Sequence, residues 1–377
     1  MPSIATEVLT PAPELEKLSI KPSGPTPTAN PVPPPPTNGQ TLGGTENYKY
    51  AHLLPVFDPS EKYPPLELFE HVDPGHRALN HENPNSFLTS REAKTIELTP
   101  SVGTEVHGVD LLSLNNDERD ELALFVAQKG VVVFRDQENW LDASIDQWKD
   151  FGSYFGRLHI HPTSGHPEGH PELHLVYRAK DHVYNYERND YLATSTWHSD
   201  VSYEKQPPGL TTFWLVDQPS TGGDTMFISQ VASLKRFSPA FVAFLRTLTA
   251  VHSAVAQADY SRSGRRGGVV RREPVENVHP VIRKHPVTGE EALYVNYQFT
   301  TRIVELKREE SDNLLKFLYD ETAKALDAHL RVKWQPNTVV IWDNRVTAHS
   351  AIVDYVKGGE RRHGVRLAPQ AEQPTAA

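Results

Sequence analysis

Short apolar runs separated by turn residues mark the chain from about residue 96 onward. Apolar residues at helical spacing begin after Asn115, an N-cap residue, and Gly130 offers a stop, so we predict a helix between them. A second apolar stripe predicts a helix over 309–330. Continuous apolar runs, which are typical of buried strands, lie at 131–134, 212–216 and 339–342.

Between 280 and 299, two apolar runs flank a turn at 286–289, which predicts two strands, the second reaching Tyr297. Short strands outnumber helices, and no alternation of strand and helix is visible. We therefore predict a mainly β protein with helices, of the α+β class, built as a β-sandwich or barrel.

Proline is concentrated in the first 40 residues, where large apolar residues are few. Such a segment cannot bury enough surface to offset its ordering entropy. We predict four segments: a disordered Pro-rich tail at 1–44, an ordered N-terminal extension at 45–95, the main domain at 96–368, and a C-terminal tail at 369–377.

Composition narrows the functional classes. The 377 residues include no cysteine, which excludes disulfides, Cys-ligated metals and cysteine catalysis, and suits a reducing compartment. The net charge of −10 argues against nucleic acid as a partner. No apolar run approaches the roughly 20 residues that span a bilayer, and no secretory signal pattern opens the chain. We expect a cytoplasmic protein without nucleic-acid or membrane partners.

The sharpest candidate for chemistry is His198-Ser199-Asp200. On a strand, residues i and i+2 share a face, so His198 and Asp200 could address one point. A further histidine, His349, follows the predicted strand at 339–342. Two histidines and one carboxylate form the facial triad of non-haem Fe(II) oxygenases. The alternative is an unrelated pair at a strand edge and a surface histidine.

Arginines cluster shortly after His349. Arg362 and Arg366 are four residues apart, which places them on one face of either a helix or a strand. Guanidinium groups suit the forked binding of carboxylates and other flat anions. An iron site beside two arginines fits an acidic cosubstrate and an acidic substrate; the alternative is a solvated basic stretch.

The candidate residues belong to a series of motifs: Trp197-His198-Ser199-Asp200, Pro219-Ser-Thr-Gly-Gly-Asp-Thr225, Phe299-Thr-Thr-Arg-Ile303, Trp342-Asp-Asn-Arg-Val-Thr-Ala-His349, Arg362 and Arg366. With these motifs the chain closely resembles the taurine dioxygenase family of Fe(II)- and 2-oxoglutarate-dependent dioxygenases over about residues 96–368, and within it the fungal sulfonate dioxygenases.

The resemblance implies a double-stranded β-helix, or jelly roll, that binds Fe(II) and uses 2-oxoglutarate and O₂. The implied reaction hydroxylates the carbon beside a sulfonate and releases sulfite and an aldehyde, with succinate and CO₂. The substrate would be a small anionic organosulfonate, and the protein a homo-oligomer, a dimer or tetramer. The alternatives are alkyl sulfate esters, aryloxy or other carboxylates as substrates, and a non-catalytic jelly-roll binding protein.

Position by position, the resemblance assigns the iron to three ligands, 2-oxoglutarate to two residues, and the substrate to a pocket. The implied iron ligands, which are also the catalytic residues, are His198, Asp200 and His349. Thr225 and Arg362 would hold the cosubstrate, and the substrate pocket would contain His161, Thr194, Val201, Phe299 and Arg366.

Two positions depart from the taurine enzyme. Thr194 replaces an asparagine that helps to hold the substrate amine, and Ser164 replaces a tyrosine. The spacing from His349 to Arg362 is also longer by two. These differences predict a remodelled end of the pocket, away from the sulfonate.

Two other features could mislead. The histidines at 161, 166, 170 and 174 lie in a loop rich in Pro and Gly, and we interpret them as solvated loop histidines with no second metal. The arginine-rich segment 257–276 contains only Tyr260 as an aromatic platform, so we interpret it as a mobile lid whose charge attracts an anion.

Overall fold

Two facing β-sheets form the centre of the protein. The computed structural model describes residues 47–180, 196–265, 267–355 and 359–377. The larger sheet has the order β1-β2-β3-β13-β5-β15-β4 and faces a three-stranded sheet, β12-β6-β14. Neighbouring strands are antiparallel except for the parallel pair β2 and β3. Two further three-stranded sheets, β10-β9-β16 and β11-β7-β8, lie beside this pair.

The strands are β1 Lys94–Glu97, β2 Thr104–His107, β3 Val131–Phe134, β4 His174–Arg178, β5 Leu210–Asp217, β6 Thr225–Ser229, β7 Thr249–Ser253, β8 Glu276–Pro280, β9 Ile282–Lys284, β10 Glu291–Leu293, β11 Thr300–Ile303, β12 His329–Val332, β13 Val339–Asp343, β14 Thr347–Ala351, β15 Arg362–Leu367 and β16 Thr375–Ala376. The α-helices are α1 Gly75–Ala78, α2 Ser86–Thr89, α3 Asn116–Lys129, α4 Glu138–Leu141, α5 Ile145–Ser153, α6 Gln230–Lys235, α7 Pro239–Leu245, α8 Val255–Tyr260 and α9 Arg308–Lys324.

The central strands of the larger sheet are buried on both faces, which explains their continuous apolar sequences. On β13, Val340 and Trp342 pack into the space between the two sheets, against residues such as Phe227 of β6. Val339 and Ile341 point the other way, into a second core with helices α3 and α5. This period of two gives a jelly-roll sandwich with helices outside, and the predicted fold class is confirmed.

Helix α3 forms where the pattern predicts it. The Asn115 side chain accepts from the backbone of Glu118, and the Glu118 side chain accepts from the backbone of Asn115, which together make a capping box. Gly130, with a φ of 71°, ends the helix in a conformation that favours glycine. The strands predicted at 131–134, 212–216 and 339–342 are confirmed as β3 and as parts of β5 and β13.

Two predicted elements are wrong in extent. The helix predicted over 309–330 ends at Lys324, and His329–Val332 form strand β12 instead, because pairing with β6 buries alternate residues of this stretch. The second strand predicted within 280–299 ends at Leu293. Tyr297, which we expected on that strand, lies in a turn and is exposed.

Residues 47–93 contain short helices and long extended stretches interrupted by proline. Leu53 and Phe87 from this part are buried in the core that contains α3 and α5. The predicted tail, 1–44, lies outside the described residues. Within the described part of the chain, no helix is long and apolar enough to cross a membrane.

Candidate active site

The two candidate histidine ligands are joined by their backbones. His198 and His349 form an isolated antiparallel bridge, in which each backbone N–H donates to the other residue's carbonyl, at 3.0 and 2.8 Å. His349 itself lies on β14, paired with Phe227 of β6. The bridge places the imidazole centroids 4.2 Å apart. Two residues that are 151 positions apart are thus brought together by backbone pairing.

Asp200 reaches the same point by a different route from the one we predicted. Only His198 makes a bridge, and Asp200 lies in a turn, so the expected strand with two residues on one face is wrong. The Asp200 backbone N–H donates to the Asn344 side-chain oxygen at 3.1 Å. Val201 then adopts a φ of 39°, a costly conformation for a β-branched residue and one that clusters at functional sites.

The three side chains form a compact donor set. The Nε2 atoms of His198 and His349 each lie 3.7 Å from Oδ1 of Asp200. The ligand atoms of all three residues lie within 4.8 Å of one another, a grouping that could hold a metal ion. Two imidazole nitrogens and one carboxylate oxygen suit ferrous iron with open positions.

The hydrogen bonds around this set fit a metal ion. His198 Nδ1 lies 2.7 Å from the Thr196 carbonyl, which only accepts, so Nδ1 carries a hydrogen and Nε2 is the ring nitrogen that faces Asp200. Oδ2 of Asp200 is buried and has no hydrogen-bond partner among the described residues. A buried carboxylate oxygen without a donor is costly unless a cation satisfies it.

Electrostatics keep these side chains in the protonation states that a metal needs. Burial, followed by the neighbouring His198, lowers the pKa of His349 to about 3, so its imidazole is neutral. Burial would raise the pKa of Asp200, but Arg366 and both histidines outweigh it and hold the pKa below its ordinary value. A neutral His349 imidazole and an ionised Asp200 carboxylate therefore face one point.

The predicted cosubstrate residues meet at a glycine turn. Gly222 and Gly223 have φ values of 78° and 70°, and a Cβ on Gly222 would lie 2.5 Å from Asp354. The turn leads into β6, whose first residue, Thr225, accepts from the Trp334 ring N–H at 3.2 Å. Arg362 Nε donates to the Gly223 carbonyl at 3.2 Å, which brings it to the same turn.

Arg362 is a desolvated cation. It is buried, and this burial lowers its pKa, while the nearby Arg178 lowers it further. Arg178 stands directly opposite Arg362 where β4 pairs with β15, so the two side chains share a face. Burial raises the pKa of the nearby Tyr355 hydroxyl, and both guanidinium groups oppose this shift. A buried guanidinium beside a second one favours an anion such as a carboxylate.

Arg366, which the resemblance assigns to the substrate pocket, contacts the donor set itself. One of its guanidinium nitrogens contacts Oδ1 of Asp200, and the other contacts Nδ1 of His174, the residue opposite it on β4. The His161 ring lies 4.4 Å from the His174 ring. The backbone N–H groups of Thr163 and Ser164 both donate to His161 Nδ1 at 3.2 Å, which leaves the ring hydrogen on Nε2.

Phe299 and Val201 form an apolar wall near the metal set. The Phe299 ring meets the His198 ring edge-on at 6.0 Å, and it packs with Val201 and Tyr203. Trp342 lies beside His349, with ring centroids 4.9 Å apart. Ser164 is buried in the loop that carries His161. Thr194 lies outside the described residues.

Sequence reasoning missed His174, Arg178 and Asn344. His174 and Arg178 are visible only after β4 is paired with β15, since their partners lie 184 or more positions away. Asn344 sits inside a motif that we quoted, and it holds the Asp200 backbone while it accepts from the Trp342 ring N–H at 3.0 Å. The sequence offered one signal for Asn344: its polar side chain follows directly on a predicted buried strand, within the motif that ends at His349.

Other features of the sequence have structural partners. His161 and His166 are buried, so the interpretation as solvated loop histidines is wrong for these two. Asp343 binds Arg345 and His285 inside the core, with Oδ2 distances of 2.6 and 3.0 Å. Arg271 and Arg272 are buried and bind backbone carbonyls, so the expectation that these two arginines attract a substrate anion from the surface is wrong.

A jelly roll with two histidines and a carboxylate at one point defines a class of metal-dependent oxygenases. Residues 94–368 match the family model described as "Taurine catabolism dioxygenase TauD, TfdA family". This match covers most of the chain, and the chain therefore belongs to that family. The recognition made from the motifs is confirmed.

Individual proteins agree with this assignment. The chain is 46% identical over 332 residues to an alpha-ketoglutarate-dependent sulfonate dioxygenase of Saccharomyces cerevisiae, covering 87% of this chain and 79% of the yeast protein. It is 26% identical to an alkylsulfatase of Acinetobacter baylyi, covering 78% of this chain and 89% of that protein. The crystal structure of a putative alpha-ketoglutarate-dependent taurine dioxygenase from Burkholderia xenovorans superposes with a TM-score of 0.63 at 29% identity, covering 75% and 94%.

Proposed function

We propose that the protein is an Fe(II)- and 2-oxoglutarate-dependent dioxygenase that releases sulfite from a small organosulfonate. The observation that carries the proposal is the site itself. Arg366 contacts Asp200 in the donor set of two histidines and one carboxylate. A second buried arginine, Arg362, lies four residues earlier on the same strand, β15. The similarity to a yeast sulfonate dioxygenase at 46% identity supports the sulfonate.

The proposed reaction balances without another reactant. A sulfonate, 2-oxoglutarate and O₂ give an aldehyde, bisulfite, succinate and CO₂. Ferrous iron, when bound, supplies the activation of O₂ and the oxidation of the substrate carbon. The protein's own residues bind the two anions, orient them and exclude water.

In this proposal each anion has its own arginine. The distal carboxylate of 2-oxoglutarate pairs with Arg362 and accepts from the Thr225 hydroxyl, beside the Gly223 turn. The substrate sulfonate pairs with Arg366 and accepts from the His161 Nε2–H. Because Arg366 also contacts Asp200, the sulfonate would lie close to the metal set, and its α-carbon would face the open side.

Alkyl sulfate esters are the second candidate, favoured by the similarity to an Acinetobacter alkylsulfatase. A sulfate ester presents the same three oxygens to Arg366, so the arginine does not discriminate. The products do: a sulfonate gives sulfite and an ester gives sulfate.

The test is a panel of taurine, alkanesulfonates, alkyl sulfates and aryloxyacetates, with succinate, sulfite and sulfate measured together. We expect sulfite and succinate from several alkanesulfonates at rates comparable to taurine or faster. Thr194 is shorter than the asparagine of the taurine enzyme and reaches less far toward an amine, and Ser164 is smaller than the tyrosine there. A preference for taurine beyond about 100-fold, or about 2.7 kcal/mol, would mean that another residue binds the amine. Sulfate release without sulfite would support the second candidate.

A further inference from the structure

Three segments that are distant in sequence meet beside the substrate side of the site. They are residues 55–64 of the N-terminal part, the loop 160–166 that carries His161 and Ser164, and residues 267–272. Buried hydrogen bonds and ion pairs join all three.

Arg271 is the centre of this junction, and its side chain is fully buried. Its Nη1 donates to the Ser164 carbonyl at 2.6 Å and its Nη2 to the Val56 carbonyl at 3.2 Å. Its backbone N–H donates to Pro162, and its carbonyl accepts from Tyr63, at 2.8 and 2.7 Å. One residue therefore binds both other segments through its side chain and through its backbone.

Glu61 neutralises this buried arginine and adds the loop histidine. Its Oε2 lies 2.7 Å from Arg271 Nε and 2.8 Å from His166 Nε2. His166 Nδ1 lies 2.8 Å from the Pro167 carbonyl, so the ring is held at both nitrogens. We name Glu61, His166 and Arg271 the clamp. Removing the partner of a buried cation is strongly destabilising, so Glu61 is the residue on which the other two depend.

An aromatic contact fixes the same junction. Phe57 is wedged between Gly165 and Gly267: a Cβ on Gly165 would lie 2.8 Å from its ring, and a Cβ on Gly267 would lie 2.2 Å from it. Only glycines allow the three segments to approach this closely.

The clamp is connected to the donor set by a continuous series of contacts. Arg271 holds the Ser164 carbonyl, and the Ser164 backbone N–H donates to His161. The His161 ring packs on His174, and His174 contacts Arg366, which contacts Asp200.

We propose that the clamp positions His161 and Ser164 for the sulfonate substrate, and that Glu61, outside the catalytic centre, is a positioning residue for substrate binding. The proposal rests on the proposed function for the identity of the ligand. Arg362 donates to the Gly223 carbonyl and Thr225 accepts from Trp334, both away from the clamp, so cosubstrate binding should not depend on it.

The test compares Glu61→Ala and Glu61→Gln with Glu67→Ala, which removes an exposed carboxylate from the same part of the chain. We expect Glu61→Ala to raise KM for the sulfonate about 5- to 30-fold, with KM for 2-oxoglutarate within about twofold of wild type. Bound iron should be unchanged, Glu61→Gln should show a smaller effect, and Glu67→Ala should behave as wild type.

A second measurement separates the clamp from the proposed function. Amide hydrogen exchange at residues 160–166 should increase in Glu61→Ala and not in Glu67→Ala. If wild type released no sulfite from any sulfonate, the proposed function would fail, and this exchange would still test the clamp. An unchanged sulfonate KM with unchanged exchange would overturn the proposal, as would an equal rise in both KM values. If Glu61→Ala does not fold, Glu61→Gln and its two readouts decide.

Discussion

The site has two sides that are built differently. The proposed metal side contains His198, Asp200 and His349, and the proposed substrate side contains His161 and Arg366. His198 and His349 are joined by reciprocal backbone hydrogen bonds, and β14, which carries His349, pairs with β6. His161 is held on a loop by backbone N–H groups, and that loop is held by Arg271 from another segment. Positions that are fixed by backbone hydrogen bonds are kept when neighbouring side chains are substituted, whereas a loop that is fixed by side-chain hydrogen bonds moves when those side chains are replaced. We infer that substrate choice can change in this fold while the metal site stays constant.

A buried cluster of charged residues surrounds the turn that precedes β14 and His349. Arg345 binds Asp343, two residues before it, and also contacts Asp73 and Glu372 from both ends of the described chain. Asp343 also binds His285. These groups pair with one another, so the turn that connects β13 to β14 and leads to His349 is anchored independently of the loop 160–166.

The largest expected effect is the loss of a ligand. His198→Ala, Asp200→Ala or His349→Ala should each abolish turnover and bound iron while the protein still folds, because each removes one of three protein ligands. Iron per protein after anaerobic gel filtration, with thermal melting, gives the measurement. His170→Ala, a loop histidine outside the donor set, is the control and should keep its iron. A ligand variant with near wild-type activity at saturating iron would remove that residue from the set.

The two arginines should separate the two sides kinetically. Arg362→Ala should mainly raise KM for 2-oxoglutarate, and Arg366→Ala should mainly raise KM for the sulfonate. A charge-assisted hydrogen bond left unmade costs about 1.5–3 kcal/mol, or roughly 10- to 150-fold. Initial rates with each substrate varied in turn measure both constants. Equal effects of both variants on both constants would contradict the assignment.

A smaller effect concerns the pH dependence of folding stability, which we attribute in part to the buried His279 next to Glu204. His279 of β8 lies 2.9 Å from the Glu204 carbonyl, and burial, with Arg283, lowers its pKa to about 4. The unfolded chain, with a pKa near 6.5, binds more protons between these values, so folding stability rises with pH there. Neutral, buried His279 thus contributes roughly 3 kcal/mol to folding stability. This contribution is fully present above about pH 6.5 and is lost as the pH falls to about 4.

Urea unfolding at several pH values checks this. His279→Gln should flatten the loss of stability between pH 6.5 and 4. The control is His107→Gln: the pKa of His107 is raised by its bonds to Glu105 and Asp136, so its contribution has the opposite sign. A His279→Gln profile as steep as that of wild type would mean that His279 is not protected from protonation.

The last change, deletion of the N-terminal segment, should have no effect on turnover. Deletion of residues 1–44 should leave kcat and both KM values unchanged, because every site residue and the whole clamp lie later in the chain. Steady-state kinetics of the shortened protein make the comparison. Inactivation would show that the tail contributes to the fold or to a subunit contact.

The metal side was more predictable from sequence than the substrate side, for a physical reason. Apolar runs such as 131–134 and 339–342 specify buried strands, and the motif that ends at His349 begins on one of them. The route by which Asp200 joins them was wrong, because it depends on a turn and on Asn344, which no periodicity predicts.

The substrate side depends on contacts between distant segments. Glu61 and Arg271 are 210 positions apart, and neither lies in a motif, so no local pattern indicates their ion pair. The arginine-rich stretch around Arg271 and Arg272 favoured an exposed lid, because sequence alone does not show that Ser164 and Pro64 carbonyls accept from them.

The most direct test of the account is the ratio of sulfite to succinate during turnover of an alkanesulfonate such as pentanesulfonate. Wild type should release the two products in about equal amounts, since oxidation of the substrate carbon consumes one 2-oxoglutarate. Arg366→Ala should still form succinate but release less sulfite per succinate, because its substrate is misplaced, whereas Arg362→Ala should keep the wild-type ratio at subsaturating 2-oxoglutarate. Succinate formation by wild type without sulfite, from every sulfonate offered, would contradict the account.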